Sequence, residues 1–325
     1  MADQGSIRLL TKVARLYYTH GLRQTEIATR LAISQPRVSR LLQQAEESQV
    51  VRTVVAVPLH LHADLEERLE ERYGLDEVHI VEASGVGEVE LIRDLACVAA
   101  AILGAVSMEA PTVGWTSWSR TLRATVDALL PLRLGTSRVI EMVGDLGPPA
   151  LQNDSGHATA KLAELLGAEP VFLRTPGVVP NAEVAYALLA QDSYARHALD
   201  QLNHVDLALL SIGSVEPSPP LEPGRNFFTA QQLKVVRQAG AVGEVCLRYL
   251  DADGNPVSST LDETTIGVTL DQLRSARRRW AVAGGERKLV ALHAALLGHW
   301  VDVLVTDLDT AIQLDAGKRE DRRSR

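Results

Sequence analysis

Seven short apolar runs alternate with segments of helical spacing through most of this 325-residue chain. Such alternation predicts a mostly parallel β-sheet with helices covering both of its faces, which is an α/β fold. The predicted strands cover residues 78–81, 112–116, 138–143, 170–173, 207–212, 280–283 and 301–306, and predicted helices between them cover 87–107, 121–130, 155–166 and 286–297.

Two segments depart from this alternation. In residues 244–259, two short runs flank Asp253-Gly254, a pair typical of hairpin turns, so we predict a β-hairpin at a sheet edge. The last residues, GKREDRRSR, have no apolar content, so we predict a disordered tail over residues 316–325. Cys97 and Cys246 lie within apolar stretches and are expected to be buried free thiols.

Charge is distributed unevenly along the chain. Residues 1–57 hold eight Arg and Lys against four Asp and Glu, a net charge of +4, whereas the whole chain carries −8 and the remainder therefore −12. A basic segment joined to an acidic one indicates that only the former meets the phosphates of a nucleic acid. We therefore predict two domains, a DNA-binding domain over residues 1–57 and an α/β domain over residues 58–315.

The basic segment has the pattern of a helix-turn-helix. Helical spacing over residues 7–20 ends at Gly21, and two further helices are predicted over residues 24–31 and from 35 to about 48. Residues 50–57 form a β-branched run that predicts a strand. Ile27 and Ala28 form one apolar face and Val38 lies on the next, the spacing by which two helices pack across a tight turn.

The third predicted helix presents polar and cationic side chains that suit DNA. Ser34 is placed to cap this helix and Pro36 fits its first turn. Gln35 and Arg37 are the candidates for base contacts, while Arg40 and Arg23 are expected to meet phosphates. The full predicted DNA-binding set is Arg23, Gln24, Thr25, Ser34, Gln35, Pro36, Arg37, Ser39 and Arg40. The alternatives are a helical hairpin with an incidental solvated face and a protein-interaction module.

The segment LLTKVARLYYTHGLRQTEIATRLAISQPRVSRLLQQAEESQVVRTVV resembles the N-terminal domain of the SorC family of sugar-responsive transcriptional regulators. The resemblance continues through SWSRTL, LLSIGS, GAVGEVCLRYLDADGNPV, AVAGGERKLVALHAAL and LVTDLDTA. It implies a Rossmann-like effector domain similar in fold to the glucosamine-6-phosphate and ribose-5-phosphate isomerases. It also implies that the hydroxyl-rich loop, Gly213, Glu244 and Lys288 line an effector pocket.

The residues themselves favour a ligand site at these segments. In parallel α/β sheets, ligands bind beyond the carboxyl ends of the strands, where helix N-termini present free N–H groups. The loop at residues 114–121 is rich in hydroxyls, and Gly284-Gly285 precedes a helix start with a cation. The predicted effector-binding set is Thr116, Ser117, Trp118, Ser119, Arg120, Gly213, Glu244, Lys288 and Asp307.

Structural roles remain open for several of these residues. The hydroxyl loop can be an ordinary helix N-cap, Glu244 can pair with Arg248, and Asp307 can cap the following helix. Trp115 and Trp118 can stack on a sugar or pack in the core. Family members usually have glycine where this chain has Ser119 or Asp145, and a carboxylate beside the pocket would repel phosphate. The sequence therefore leaves open a free sugar, a polyol or a sugar phosphate.

These features predict a DNA-binding transcriptional regulator whose operator affinity is controlled by a small carbohydrate. The alternative is a sugar-phosphate isomerase-like enzyme that carries a DNA-binding head. We predict a homo-oligomer, either a dimer or a tetramer, because helix-turn-helix heads act on paired half-sites. No catalytic residue, metal site, cofactor or membrane association is predicted, and the expected location is the cytoplasm.

Overall fold

A computed structural model describes residues 4–48, 50–51, 61–85, 87–106, 109–132 and 134–317. The chain divides into two compact units, Met1–Pro58 and Leu59–Arg325, and each has its own hydrophobic core. Most of the predicted strand at residues 50–57 and the predicted tail beyond residue 317 lie outside the described residues.

The first unit is helical. Helix α1 (Gln4–Ala14) continues into a π-helical turn (Arg15–Thr19), and α2 (Gln24–Leu31) and α3 (Gln35–Glu47) follow. Gly21 has φ +65° and ends the first helical segment, as its sequence position predicts. Apolar side chains from all three helices close one core: Leu10, Val13, Ala14, Leu16, Ile27, Ala28, Val38, Leu41, Leu42 and Ala45.

The second unit is built on a seven-stranded sheet in which every strand pair is parallel. Ten strands occur in the described chain: β1 (Glu77–Val81), β2 (Thr112–Trp115), β3 (Arg138–Glu141), β4 (Glu169–Val171), β5 (Leu207–Leu210), β6 (Ile212–Ser214), β7 (Gly243–Val245), β8 (Arg248–Leu250), β9 (Arg278–Val282) and β10 (Val303–Asp307). The order in the large sheet is β1-β10-β9-β5-β2-β3-β4, and each of the seven predicted apolar runs supplies one of these strands. The predicted α/β class is confirmed.

Helices cover both faces of this sheet. They are α4 (Ala63–Tyr73), α5 (Glu88–Ala105), α6 (Arg120–Ala128), α7 (Pro149–Leu166), α8 (Ala182–Gln191), α9 (Ser193–Gln201), α10 (Ala230–Gln238), α11 (Leu261–Thr264), α12 (Leu270–Ser275), α13 (Leu289–Leu297) and α14 (Leu308–Ala316). One large apolar cluster lies on each side of the sheet. Cys246 is buried as predicted, but the prediction for Cys97 is wrong, because this side chain lies on an exposed face of α5.

The strand order contains one reversal that positions the site. From β2 the chain moves outward to β3 and β4, and then returns to the other side of β2 with β5, β9 and β10. The connections that leave β2 and β5 therefore run in opposite directions. A crevice opens at the carboxyl ends of two such strands, and ligands of open α/β sheets bind there.

The predicted turn at Asp253-Gly254 is present. It reverses the chain after β8 and sets Leu250 opposite Pro256 in an antiparallel bridge. A second hairpin, which was not predicted, precedes it: β7 and β8 pair through the two-residue turn Cys246-Leu247, with φ +52° and +64°, and β6 completes a separate three-stranded sheet. The left-handed conformation at Leu247 is stabilised by Glu244, whose carboxylate accepts the Leu247 N–H at 2.6 Å.

Candidate functional site

A cavity lies at the point where the strand order reverses. Its polar lining comes mainly from three segments that follow parallel strands: residues 118–121 after β2, the stretch from Ser211 to Leu221 after β5, and Gly284 and Lys288 after β9. Glu244 of β7 and residues of α5 (residues 88–105) also contribute to the lining. A position beyond the carboxyl ends of parallel strands is typical of small-molecule sites in α/β folds.

The segment after β2 presents a helix N-terminus to the cavity. Ser119 is the N-cap of α6, and its side chain accepts the Leu122 N–H. The N–H groups of the first turn, those of Arg120 and Thr121, have no acceptor within an α-helix and are therefore available to an anion. The Arg120 guanidinium lies at the same place and pairs with Glu88 at 3.3 Å.

Two buried polar atoms of the lining lack partners among the described residues. They are Nε1 of Trp118 and Oγ of Ser211, and both residues line the same cavity. A buried donor without a partner costs about 1–3 kcal/mol, so such atoms are retained where something else satisfies them. A ligand with oxygen acceptors in this cavity would do so.

Glu244 is a buried carboxylate held in place by its own strand turn. One oxygen accepts the Leu247 N–H, and the other approaches Gly213 so closely that a Cβ at position 213 would clash with it. Burial raises the pKa of Glu244 to about 7, although the Leu247 N–H and the charge of Lys288 act in the opposite direction. The side chain can therefore either accept or donate a hydrogen bond near neutral pH.

Lys288 brings a cation to the opposite side of Glu244. Burial lowers the pKa of Lys288, and the negative charges of Glu244 and Glu88 partly offset this effect. Among the described residues the ammonium is attracted by these carboxylates without a hydrogen bond to either. Burial deprives the Lys288 ammonium of hydration. A bound anionic group would offset that loss with a charge-assisted hydrogen bond.

Asp307 fixes the loop that carries Lys288. Its Oδ2 accepts the Gly285 N–H at 2.8 Å and the Thr310 hydroxyl at 2.7 Å, and its Oδ1 accepts the Thr310 N–H at 3.0 Å. A Cβ at Gly284 would clash with the same carboxylate. Asp307 lines a second cleft that adjoins the cavity through Lys288, Gly284 and Glu88.

The structure brings six of the nine predicted effector-binding residues together in the cavity lining: Trp118, Ser119, Arg120, Gly213, Glu244 and Lys288. Thr116 and Ser117 are buried and are absent from the described lining, and Thr116 Oγ1 lies 3.4 Å from the Leu209 carbonyl oxygen. Asp307 occupies the adjoining cleft, where its oxygens are engaged by the protein itself. Ser119 caps α6 and Asp307 caps α14, so the structural role considered for each of these residues is present.

One sequence interpretation needs correction. Asp145 was expected beside the pocket as an uncompensated charge, but it pairs with Arg174 at 2.8 Å and is outside the described cavity lining. Two open alternatives are also decided. Trp115 packs in the core, and Arg248 pairs with Asp262 and backbone carbonyls rather than with Glu244, whose carboxylate interacts with the charge of Lys288.

Sequence reasoning missed Ser211 and Glu88. Ser211 directly follows β5, so its place at the end of an apolar run was a usable signal once the strand was assigned. Glu88 begins α5 and reaches the cavity only because β1 and α5 pack beside β10 and α6, a long-range arrangement that leaves no local pattern.

In the first unit, eight of the nine predicted DNA-binding residues are exposed, and they lie at the start of α2 and at or just before the first turns of α3. Gln35, Pro36, Arg37, Ser39 and Arg40 are exposed on α3, while Val38, Leu41 and Leu42 of the same helix face the core. Ser34 is exposed and its carbonyl accepts the Arg37 and Val38 N–H groups, as at a helix start. Arg23 and Thr25 are exposed and Gln24 is half-buried at the start of α2, where Glu26 accepts the Arg23 N–H at 2.7 Å.

Comparison with known proteins agrees with this architecture. A family model described as a sugar-binding domain matches residues 57–314. The deoxyribonucleoside regulator of Bacillus subtilis is 32% identical over 309 residues, which cover 95% of this chain and 97% of that protein. The sorbitol operon regulator of Klebsiella pneumoniae is 27% identical over 318 residues, covering 96% and 98%. The crystal structure of that full-length regulator, SorC, shares the fold with a TM-score of 0.71 at 24% identity, covering 96% of this chain and 100% of that one.

A basic three-helix unit followed by a parallel α/β domain with a polar crevice defines a ligand-responsive transcriptional regulator. These two relatives are named as regulators, and a third that matches 93% of the chain, LsrR of Klebsiella pneumoniae, is named as a transcriptional regulator. The chain belongs to the SorC family of sugar-binding transcriptional regulators. Within the described residues, no helix is long and apolar enough to cross a membrane, and no group of His, Cys, Asp and Glu could hold a metal ion.

Proposed function

We propose that this regulator reads a phosphorylated sugar or polyol in the crevice between β2 and β5 and changes its operator affinity in response. The observation that carries the proposal is the pair of unpartnered buried atoms, Trp118 Nε1 and Ser211 Oγ, in a cavity that also holds Lys288 and Glu244. Donors on one side and a carboxylate on the other match the oxygens and hydroxyls of such a molecule.

The cationic side of the crevice favours an anionic group on the effector. Lys288, Arg120 and the first-turn N–H groups of α6 line one cavity, and a helix N-terminus stabilises a nearby anion. Glu244, whose carboxylate interacts with the charge of Lys288, would accept hydrogen bonds from hydroxyls of the same molecule. Asp145, which suggested repulsion of phosphate, is neutralised by Arg174 and so supports no objection to a phosphorylated effector.

The first unit is the proposed DNA reader. We infer that α3 enters the major groove with Gln35 and Arg37 at base edges, and that Arg40 and Arg23 contact phosphates. The exposure of these side chains in a segment of net positive charge, residues 1–57, supports this assignment. We also infer a homo-oligomer, a dimer or a tetramer, because two heads are needed to occupy paired half-sites.

We infer that the effector is released unchanged. The relatives are named as regulators, which supports a sensing role on a fold that enzymes also use. Proton-decoupled phosphorus NMR of a sugar phosphate incubated with the protein would reveal turnover. Conversion of the probe would favour the isomerase-like alternative, with Glu244 as its acid–base group.

The test of the proposed function measures operator binding and probe binding separately. Fluorescence anisotropy of the DNA upstream of the chain's own gene would be followed with 2-deoxyribose 5-phosphate and sorbitol 6-phosphate, probes chosen from the names of the two relatives. Lys288→Met should weaken probe binding at least about tenfold, since it deletes a charge-assisted contact. The exposed Lys234 provides the control, and Lys234→Met should bind like the unmodified chain.

The comparison of phosphorylated and free compounds tests whether the effector carries an anionic group. Operator binding that shifts with free 2-deoxyribose or sorbitol but not with their phosphates would overturn the assignment of Lys288 and Arg120. Equal probe affinity in Lys288→Met and the unmodified chain would do the same. Specific operator binding that neither probe nor its free counterpart alters would contradict the proposed effector class.

A further inference from the structure

Helix α4 is the first described helix after the segment that joins the two units. Leu65, Leu69 and Tyr73 bury one face of this helix in the α/β core. On its sheet side, the carboxylates of Glu66 and Glu70 accept the N–H groups of Ile80 and Val78 of the edge strand β1, both at 2.8 Å. The helix is therefore fixed to the sheet along its length and moves as one body.

The end of α4 bonds to α13, the helix that begins directly after Lys288. The Tyr73 hydroxyl lies 2.8 Å from Nδ1 of His293, and the two rings meet edge to face. Since His293 lies in the middle of α13, a displacement of Lys288 at the start of that helix is carried to Tyr73 by a rigid element.

The same turn of α4 also bonds to the end of α14, the helix capped by Asp307. The Tyr73 hydroxyl lies 3.2 Å from the Leu314 carbonyl oxygen, and Arg72 donates to the carbonyl oxygens of Leu314 and Asp315. Arg68 pairs with the Asp315 carboxylate at 3.0 Å. The hydroxyl has one proton, so donation to Leu314 together with acceptance from a protonated Nδ1 satisfies both contacts.

Helix α13 thus begins at the effector cavity and α14 at the adjoining cleft, and both bond to the last turns of α4. The start of α14 is joined to the start of α13 through Asp307 and the Gly285 N–H, so the two cannot shift independently. We propose that Arg72 and Tyr73 form the relay by which effector occupancy at Lys288 reaches the DNA-binding unit through α4. The proposal rests on the proposed function and adds the path of its regulation.

Two substitutions test the relay without touching the effector site. Tyr73→Phe removes the hydroxyl bonds and leaves the buried ring in place, and Arg72→Met removes the bonds to the end of α14. Arg196 supplies a matched control, because it likewise donates to carbonyl oxygens at the end of a helix, those of Leu189 and Ala190 in α8. Tyr194→Phe, at an exposed tyrosine, controls for loss of a phenolic hydroxyl.

Operator affinity of the full-length chain would be measured with and without saturating 2-deoxyribose 5-phosphate or sorbitol 6-phosphate, and probe affinity by calorimetry. In the unmodified chain we expect the probe to change operator affinity roughly 5- to 150-fold. Tyr73→Phe and Arg72→Met should reduce this ratio below about threefold, while probe affinity and unliganded operator affinity each stay within about twofold. Arg196→Met and Tyr194→Phe should keep the full ratio.

The possible outcomes separate failure of the relay from failure of the proposed function. An unchanged ratio in both α4 variants overturns the relay and leaves the proposed function standing. A probe that binds the unmodified chain without altering operator affinity contradicts the proposed function, and the relay with it. If circular dichroism shows that Arg72→Met does not fold, the ratio of operator affinities in Tyr73→Phe still tests the relay. A chain that binds neither probe overturns the effector class on which the relay depends.

Discussion

Glu244 has the environment most sensitive to pH in the effector site. Burial raises its pKa from 4.5 to about 7, so the folded chain holds this proton more tightly than the unfolded chain does. The stability that this protonation contributes is full below pH 4.5 and is lost as the pH rises to about 7. Near neutral pH the carboxylate therefore works against the fold even with the charge of Lys288 nearby, unless a bound effector compensates for its charge.

We expect the pH dependence of stability to report this carboxylate. Between about pH 4.5 and 7, the free energy of unfolding should fall by roughly 3 kcal/mol more in the unmodified chain than in Glu244→Gln, at ~1.4 kcal/mol per pKa unit. Urea denaturation across this range measures the difference, with the exposed Glu263→Gln as control. Parallel pH profiles for the unmodified chain and Glu244→Gln would show that Glu244 does not titrate in this window.

At the scale of elements, α3 separates the two contributions to DNA binding. Gln35→Ala should relax base preference at one position by roughly 1–3 kcal/mol, because a side chain that reads a base edge is lost. Arg40→Gln should instead weaken binding to all sequences and reduce the slope of log K against log salt by about 1. Anisotropy titrations on the operator and on a shuffled duplex, at several salt concentrations, measure both effects.

Arg225 provides the control for this pair of substitutions, because it is an exposed arginine of the second unit. Arg225→Gln should leave both the base preference and the salt slope as they are. An Arg40→Gln chain with an unchanged slope would remove that guanidinium from the proposed phosphate contacts. A Gln35→Ala chain with full sequence preference would move the base-reading role elsewhere on α3.

Elements specified by local signals were predictable from the sequence, and elements held by distant contacts were not. Helix α2 spans Gln24–Leu31 as predicted, because its apolar spacing is local and Ala32 takes the left-handed conformation that ends it. The β7–β8 turn was missed because Glu244 stabilises Leu247 across the turn, an effect absent from turn statistics. Helices α8 to α10 were missed, since the apolar-run pattern did not extend to them.

The effector site was predictable only in part, because its lining also depends on contacts between residues far apart in the sequence. The hydroxyl-rich loop after β2 and Lys288, which follows Gly284-Gly285, could be assigned to the carboxyl edge of a parallel sheet, whereas Gly213 was assigned by the family resemblance. Which strands stand side by side is a long-range property, and it decides that the segments after β2, β5 and β9 face one cavity. The use of Asp307 as a support for Gly285, rather than as a lining residue, also follows only from the packed arrangement.

At the scale of the whole molecule, the two proposed ligands bind to different units, Met1–Pro58 and Leu59–Arg325. Thermodynamic linkage then requires operator DNA to change probe affinity by the factor by which the probe changes operator affinity, roughly 5- to 150-fold. Calorimetric titration of 2-deoxyribose 5-phosphate or sorbitol 6-phosphate into the full-length chain, with and without saturating operator, measures this factor. A shuffled duplex of equal length controls for the field of the DNA phosphates, and it should leave probe affinity nearly unchanged if the coupling depends on operator recognition. Equal probe affinities with operator, with shuffled duplex and without DNA would show that the crevice and the head act independently, and regulation by this effector would then be excluded.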